Sequence, residues 1–421
     1  MTDAGFPGSL SAPDAPAGQT ARGGVARVGL ATVITAVCGY AVLYLAARRL
    51  EPAGFALFAV FWGAFGLVTG ATNGLLQEAA REVRLVGPIA AEPPRRTRPM
   101  LVAAGVGIMA AAVIVGTSRL WARFVFAEDQ VLSVGLLAFG LAGFCFHATL
   151  LGLLAGTGRW TPYSSLMVAD AAIRLALATA AYLSGWGLAG FLWATVGGSV
   201  AWILLLVMSA GTRAAARLST PVAVPAYLRG ALHSITAAGA SAILVMGFPV
   251  LLKATSTELG AAGGVVILAV TLTRAPLLVP LTAMQGNLVV YFVDHRGQRL
   301  RSLLSPAGAI LVIGAAGVLA AALVGPWLLR TGFGADYSAG SALLAWLTAG
   351  AVCIALLTLT GAATVAAALH RAYAAGWVGA TVVATLLLTL PLDLHTRTIV
   401  ALLCGPLVGI GVHVAALARA G

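Results

Sequence analysis

The sequence predicts an all-α polytopic membrane protein with twelve transmembrane helices. Of its 421 residues, 60% are hydrophobic and only 9% are charged, and the mean hydropathy is +0.98. Soluble proteins average about 25% charged residues, which they need in order to cover their surface. Apolar runs close to the roughly 20 residues that cross a bilayer as a helix recur along the chain. These observations exclude a soluble enzyme, a disordered chain and a nucleic-acid-binding domain.

The elements follow from the apolar runs in order. Residues 1–25 are rich in Gly, Pro, Ala and Ser and are predicted to form a disordered cytoplasmic tail. The next run is too long for the core of a signal peptide, which spans about 7–15 residues, so it is interpreted as the first spanning helix. The predicted spans are 28–47, 55–76, 100–117, 131–154, 163–183, 187–208, 232–252, 263–292, 306–329, 340–368, 372–391 and 398–418. The eighth contains Pro276 and Pro280, where we expect a kink or a break.

The basic residues predict the orientation of these helices. Of the 25 Lys and Arg residues, sixteen lie in segments on the side of the N-terminus, seven lie on the opposite side, and two lie within spans. Cytoplasmic loops of membrane proteins carry the excess of Lys and Arg. We therefore expect a multi-pass protein of the cytoplasmic (inner or plasma) membrane with both termini in the cytoplasm, rather than a nucleic-acid-binding protein with a net charge of +12.

An internal repeat divides the chain. The loops around Arg159 and Arg371 correspond at an offset of 212 residues, and the segments around Gly54 and Gly260 at an offset of 206. A third pair is RFVFAED before the fourth span and TGFGADY before the tenth. Because each half begins on the same side, the halves are predicted to be parallel repeats of six helices. The predicted lobes are residues 26–208 (the N-lobe) and 232–421 (the C-lobe), joined by a cytoplasmic linker, residues 209–231.

Three segments carry a resemblance to a known family: ARRLEPAGFALFAVF, LLAGTGRWTPYSSL and PWLLRTGFGADYSAGSALLAWL. They resemble motifs of the MOP flippase superfamily, in particular its Wzx-like polysaccharide (O-antigen and exopolysaccharide) flippases. The similarity runs from about residue 25 to 418 and departs at Glu51, where glycine is common. It implies a transporter, not an enzyme, that flips polyprenyl-pyrophosphate-linked oligosaccharide across the cytoplasmic membrane by alternating access, for cell-surface polysaccharide synthesis.

The resemblance also implies the partners of such a transporter. They are the membrane lipid, the lipid-linked oligosaccharide, and a glycan polymerase or glycosyltransferases. No cofactor is expected, and coupling to H⁺ or Na⁺ is compatible with the sequence. The oligomeric state is left open.

Three charged residues within spans are the first candidates for substrate binding, because such residues are rare and cost about 2.5–3.5 kcal/mol at the bilayer centre. Arg274 is predicted at about 16 Å depth with no acid one turn away. It could bind the pyrophosphate that the family is thought to move, or pair with Asp170 as a structural residue. Asp170 and Arg174 are four residues apart. They could line a cavity, Arg174 for phosphate and Asp170 for H⁺ or Na⁺, or they could neutralise each other.

Polar residues elsewhere are weaker candidates. Arg27 and Arg48 bracket the first span and could guide the headgroup or anchor the helix at the interface. Four amides could bond to sugar hydroxyls or hold helices together: Asn73, Gln77, Gln285 and Asn287. His147 and His413 are interpreted as packing residues, and the GxxxG steps at Gly66, Gly70 and Gly74 as a packing face. The four cysteines show no metal-site spacing, so neither a metal nor a disulfide is expected.

Two alternatives from other classes stay open at this point. A membrane-embedded glycan polymerase or ligase would need catalytic groups on a sizeable outer loop, and the predicted outer loops are short. A major-facilitator-type carrier of small solutes would also have twelve helices in two parallel halves. DHRGQR at 294–299 faintly resembles its cytoplasmic loop motif, but the segment LQEAAREVRLVGP after the second span does not match the stronger copy expected there.

Overall fold

The computed structural model describes residues 17–85, 97–295 and 298–420, without the side chains of 17–23, 25, 85, 283, 285–287 and 290. Nearly all of this part is helical, and its only paired extended backbone is an isolated bridge between Thr97 and Thr220. The predicted all-α class is therefore confirmed. The helices are α1 (Ala17–Leu85), α2 (Pro99–Val125), α3 (Gln130–Gly156), α4 (Trp160–Ser184), α5 (Gly187–Gly197), α6 (Ala201–Met208), α7 (Ala210–Ala216), α8 (Val224–Val245), α9 (Phe248–Ala254), α10 (Gly260–Asp294), α11 (Arg299–Phe333), α12 (Ser341–Ala366), α13 (His370–Leu388) and α14 (Leu394–Ala420).

The first helix is two helices joined at a bend. Glu51 has φ 57° and ψ 170°, which is not helical, and Pro52 follows it. An unbroken helix over Ala26–Arg84, 59 residues, would be about 88 Å long, nearly three times the apolar thickness of a bilayer. The bend separates the segments predicted as the first and second spans. Eleven helices of the described chain, this one included, are long and apolar enough to cross a membrane, and the count of twelve crossings stays a prediction.

Several spans differ from the sequence prediction. The sixth is divided by a 3₁₀ turn at Gly198–Val200, and the seventh is divided at Gly247 between α8 and α9. The eighth, predicted to kink or break, is one continuous helix through Pro276 and Pro280. Membrane helices tolerate proline where neighbouring groups and local adjustments satisfy the freed carbonyls, so proline alone does not predict a break. In addition, α7 and the start of α8 lie within the predicted linker.

Matching turns support the predicted repeat. After α3, Gly158 has φ 68°, and the Arg159 N–H donates to the Leu154 carbonyl over 2.9 Å. After α12, Ala368 has φ 59°, and the Leu369 N–H donates to the Thr364 carbonyl over 2.9 Å. The two turns therefore correspond at an offset of 210 residues, slightly different from the 212 that aligning Arg159 with Arg371 gave.

A second correction concerns the bend in α1. Glu51 (φ 57°) corresponds by conformation to Gly260 (φ 51°) at the start of α10, an offset of 209 residues. The sequence had instead aligned Gly54 with Gly260. The positive φ shared by Glu51 and Gly260 gives the better alignment, and it cannot be read from the sequence. The lobe boundaries themselves stay a prediction.

The buried apolar residues show how the lobes meet. The bundle has a terminal end, where α1 begins and α14 ends, and a Glu51 end opposite. At the Glu51 end one core cluster is shared by both lobes and includes Phe58, Phe191, Val266 and Leu347. At the terminal end the described residues form separate clusters, one around Leu150, Leu154, Leu166 and Leu205 and one around Phe292, Leu303, Leu359 and Leu417. The lobes are therefore packed together at the Glu51 end and have separate cores at the terminal end.

Helix α8 is the exception to this separation. Its Tyr227 and Ala231 pack with Leu75 and Val102 of the N-lobe near the terminal end. Helix α8 therefore packs along the second part of α1, where Gly70 faces Ala242 and Gly74 faces Ile235.

Two contacts seal the Glu51 end. The buried Tyr337 hydroxyl donates to the Ala47 carbonyl over 3.0 Å, which joins the loop before α12 to α1. Gly264 of α10 lies against Pro52, where a Cβ would overlap the Pro52 carbonyl oxygen. Only glycine permits this approach of two backbones. These two contacts therefore hold the lobes together at the Glu51 end.

Candidate functional site

The central residue of the candidate site is Arg274, at mid-length of α10. Its residue surface is 7% exposed although it carries a charge. Its Nη1 donates to the Val245 carbonyl over 3.1 Å, and its guanidinium carbon lies 5.0 Å from the centre of the Phe248 ring. Arg274 therefore lies where α10 meets the end of α8 and the start of α9.

Local sequence explains why the Val245 carbonyl needs this donor. In a continuous helix it would accept from the N–H of Pro249, four residues later, but proline has no N–H. The chain instead bends at Gly247, and α9 begins at Phe248 with Pro249 in its first turn. An unpaired carbonyl in a membrane costs several kcal/mol. Arg274 thus satisfies a carbonyl that Pro249 leaves free.

In the described part of the chain, the opposite edge of the same guanidinium has no partner. Its Nε and Nη2 are buried and donate to no acceptor in the described part of the chain. Buried polar groups are nearly always bonded, and the exceptions need an explanation such as a ligand or ordered water. Nε and Nη2 together form the flat edge with which arginine binds two oxygens of one phosphate or carboxylate. We call Nε and Nη2 the free edge of Arg274.

The second arginine within a span has the opposite environment. Arg174 binds Asp170 through both carboxylate oxygens, with distances of 3.1, 3.1 and 2.9 Å, and its Nη1 donates to the Thr195 carbonyl over 2.7 Å. Its guanidinium carbon lies 5.0 Å from the centre of the Phe65 ring. Because Arg174 occupies Asp170 in this way, the alternative that Asp170 is the partner of Arg274 is wrong. The geometry favours a mutually neutralised pair inside the N-lobe.

The polar residues of the second span lie on one strip of α1. Gly70 and Gly74 contact α8, with the Ala242 side chain and the Ile235 backbone as neighbours, so the predicted packing face is confirmed. Asn73 and Gln77 are exposed on the strip between this contact and the contact with α3. They are therefore free to bind a ligand. The side chains of Gln285 and Asn287 lie outside the described residues.

The arginines at the ends of the first span are separate from Arg274. Arg27 is exposed at the terminal end and donates to the Thr161 hydroxyl over 3.2 Å. Arg48 is exposed at the Glu51 end, beside Gly334. These positions suit interfacial anchoring, and neither residue is among the contacts given above for Arg274.

The two histidines differ. His413 is fully bonded, with its Nδ1 3.0 Å from the Thr360 hydroxyl and its Nε2 3.2 Å from the Tyr373 carbonyl. His147 stacks on Phe144, and its buried Nδ1 has no partner in the described residues. The packing interpretation therefore fits His413 better than His147.

Two features that contact Arg274 were missed from sequence: the Phe248 ring and the Val245 carbonyl that Pro249 leaves free. Pro249 was the available signal, since a proline within a predicted span marks a carbonyl that needs another donor.

No protein-family model matches the chain. Two curated relatives are highly similar over nearly their whole length. The uncharacterized protein Rv3630 of Mycobacterium tuberculosis is 67% identical over 406 residues, 96% of this chain and 94% of its own. The uncharacterized protein Rv1510 of the same organism is 64% identical over 419 residues, 100% of this chain and 96% of its own. The chain belongs to this mycobacterial family.

Solved structures show the fold of this family. A multidrug resistance MATE family transporter of the MOP superfamily, in an inward-facing conformation, superposes with a TM-score of 0.70 at 15% identity, over 92% of this chain and 95% of that one. An outward-facing conformation of a MATE family transporter gives a TM-score of 0.62 at 16% identity, over 96% and 99%. A MOP superfamily transporter from Pyrococcus furiosus gives 0.59 at 15% identity, over 94% and 96%. The mycobacterial-family chain therefore has the MATE-like fold of MOP superfamily transporters.

Proposed function

We propose that the protein is a transporter of the MOP superfamily that flips a polyprenyl-pyrophosphate-linked oligosaccharide from the cytoplasmic to the outer leaflet. The orientation predicted from the basic residues puts both termini in the cytoplasm, so a cleft between the two lobes at the terminal end would open inward. The headgroup enters the cleft while the polyprenyl chain stays in the lipid. Alternation then opens the Glu51 end and closes the terminal end.

The observation that carries this proposal is the free edge of Arg274. A cation buried at mid-membrane depth is costly, and one with two unbonded N–H groups is more so. Phosphate oxygens match that edge in charge and geometry. A pyrophosphate headgroup is therefore the ligand class that best explains it, and an organic cation would be repelled.

The fold supports a transport function of this kind. The TM-score is higher for the inward-facing MATE transporter, 0.70, than for the outward-facing one, 0.62, in agreement with the seal at the Glu51 end. For the Pyrococcus furiosus transporter, a binding pocket of reverse polarity has been taken to suggest a different function. Charge at the centre of this fold is thus a reasonable guide to substrate class. The similarity favours a MOP transporter over a major-facilitator-type carrier or a glycan polymerase.

The remaining candidates take supporting roles in the proposal. Asn73 and Gln77, exposed on α1, are placed to bond to sugar hydroxyls, and Gln285 and Asn287 are assigned the same role from sequence. Arg27 lies at the cytoplasmic mouth and Arg48 at the outer mouth. The Asp170–Arg174 pair holds the N-lobe together and is not assigned an ion.

The test is reconstituted transport. Proteoliposomes would receive a fluorescent polyprenyl-pyrophosphate oligosaccharide in one leaflet, and its arrival in the other would be measured by quenching. We expect transport by the unmodified protein and a loss of at least tenfold in Arg274→Gln. The matched control is Asp170→Asn with Arg174→Gln, which removes the other arginine together with its partner.

A parallel arm with a fluorescent phospholipid separates the two sources of phosphate. Equal movement of both lipids would mean that the protein is a general lipid scramblase. Full transport by a well-folded Arg274→Gln variant would refute the role of the free edge.

A further inference from the structure

The bend between α8 and α9 determines how Arg274 is held. At the bend, Pro249 leaves the Val245 carbonyl without its helical donor, and Arg274 Nη1 takes that place at 3.1 Å. The Phe248 ring, the first residue after the bend, supports the face of the guanidinium at 5.0 Å. The Val245 carbonyl thus fixes the in-plane direction of the guanidinium, and the Phe248 ring fixes its face.

This arrangement leaves one specific edge available. With Nη1 bonded to Val245 and one face covered by Phe248, the unbonded groups are Nε and Nη2. An arginine free to rotate would lose entropy when it binds an anion, and an arginine held in advance has already lost it. The bend therefore prepares the free edge for side-on binding of two oxygens.

We propose that Pro249 and Phe248 are positioning residues for the anion site, and that binding of a pyrophosphate at Arg274 is coupled to the bend between α8 and α9. This proposal rests on the proposed function. Because coupling is reciprocal, a bend that strengthens anion binding is itself stabilised by the bound anion.

The bend also lies where such coupling can reach both lobes. Gly63 of α1 faces it closely, because a Cβ on Gly63 would lie 3.0 Å from the Met246 carbonyl oxygen and 3.1 Å from Pro249 Cδ. Gly247 is equally confined, with the Leu67 side chain 3.3 Å from the position of a Cβ. A change in the bend would therefore alter the contact between α8–α9 and the N-lobe helix. Binding of the headgroup would therefore change how α8 and α9 of the C-lobe pack against α1 of the N-lobe.

The experiment measures binding of inorganic pyrophosphate to the purified full-length protein by calorimetry at constant ionic strength. Pro249→Ala restores an N–H that can donate to Val245 and so releases Arg274. We expect its Kd to rise about tenfold, which corresponds to about 1.4 kcal/mol. Phe248→Leu, which removes only the ring, should raise the Kd about threefold or more. Pro280→Ala, a proline removal in α10 itself, is the matched control and should leave the Kd within about twofold.

An Arg274→Lys background distinguishes a positioning role of Pro249 from a general loss of structure. Lysine keeps the charge but has no second edge to orient. In this background Pro249→Ala should change the Kd less than twofold, whereas general damage would weaken binding as much as in the unmodified protein. If Pro249→Ala does not fold, Phe248→Leu in both backgrounds carries the same test.

The outcomes separate this inference from the proposed function. Unchanged pyrophosphate affinity in folded Pro249→Ala and Phe248→Leu, with loss in Arg274→Gln, would overturn the positioning roles and leave the anion site intact. Unchanged affinity in Arg274→Gln, or no binding by the unmodified protein, would overturn the site and with it the inference.

Discussion

The Asp170–Arg174 pair allows a quantitative prediction for Arg174→Leu. The change removes three N–H···O contacts of 2.9–3.1 Å to the carboxylate and the 2.7 Å bond to the Thr195 carbonyl. It leaves Asp170, which is 9% exposed, as an unpaired buried acid. Breaking a buried ion pair by removing one partner costs about 3–5 kcal/mol.

This free energy can be converted to a thermal shift. At about 2.1 cal/mol/K per residue, the unfolding entropy of a chain of this length is about 0.9 kcal/mol/K, so 3–5 kcal/mol corresponds to about 3–6 °C. The apparent midpoint would be measured on purified protein in detergent by the temperature at which the monodisperse peak is lost. The double variant Asp170→Asn with Arg174→Gln removes both charges and should recover more than half of the shift.

If the thermal midpoints of the single and double variants fall by the same amount, within about 1 °C, the reasoning is refuted, because the cost would then not arise from the unpaired acid. Gly198→Ala is an independent check. Its Cβ would lie 2.6 Å from Arg174 Nε and would overlap Asp170 Oδ1. The pair would have to move, so Gly198→Ala should also lower the midpoint while leaving both charges in place.

Three further predictions follow from the backbone and the orientation. Glu51 has φ 57° and ψ 170°, a conformation used almost only by glycine, so Glu51→Gly should raise the thermal midpoint by the equivalent of about 1 kcal/mol, whereas Glu51→Ala should not. Gly264→Ala should separate α10 from Pro52 and raise the accessibility of the Glu51 end to a thiol reagent in a single-cysteine reporter, whereas Gly308→Ala, whose Cβ would meet nothing within 4 Å, should not. In a cysteine-free background an impermeant thiol reagent added to intact cells should label Ala335→Cys and not Arg301→Cys, both exposed positions; the reverse pattern would contradict the predicted orientation.

The sequence predicted the helices because each apolar run is long and the turns between runs are polar. It could not predict the breaks within runs. Gly247 and the turn at Gly198–Val200 lie in spans that contain many other glycines, and 51 glycines in the chain give no local signal for the few that bend it. Pro276 and Pro280 do not break α10, because the carbonyls that they free are tolerated in a continuous helix, and the expected kink stays a prediction.

The candidate site was predicted in its residues but not in its chemistry. Arg174 and Arg274 are the same residue type at similar depth, and the i, i+4 spacing of Asp170 and Arg174 correctly indicated a pair. The partner of Arg274 could not be read in this way, because it is a backbone carbonyl 29 positions earlier in the chain. A backbone acceptor that needs another donor cannot be identified from sequence unless a proline removes its usual N–H donor.

That exception changes how a charge within a span should be interpreted. Arg274 has a structural reason to be where it is, since it bonds to the carbonyl that Pro249 frees, and this alone would explain one of its donors. It does not explain Nε and Nη2, which have no partner in the described residues. A lysine or a glutamine at this position has fewer donors and could still bond to the Val245 carbonyl. Arg174 bonds through Nε, Nη1 and Nη2 alike. The difference between the two arginines therefore lies in the donors left over once structure is satisfied, and those donors favour Arg274 as the residue that binds the substrate.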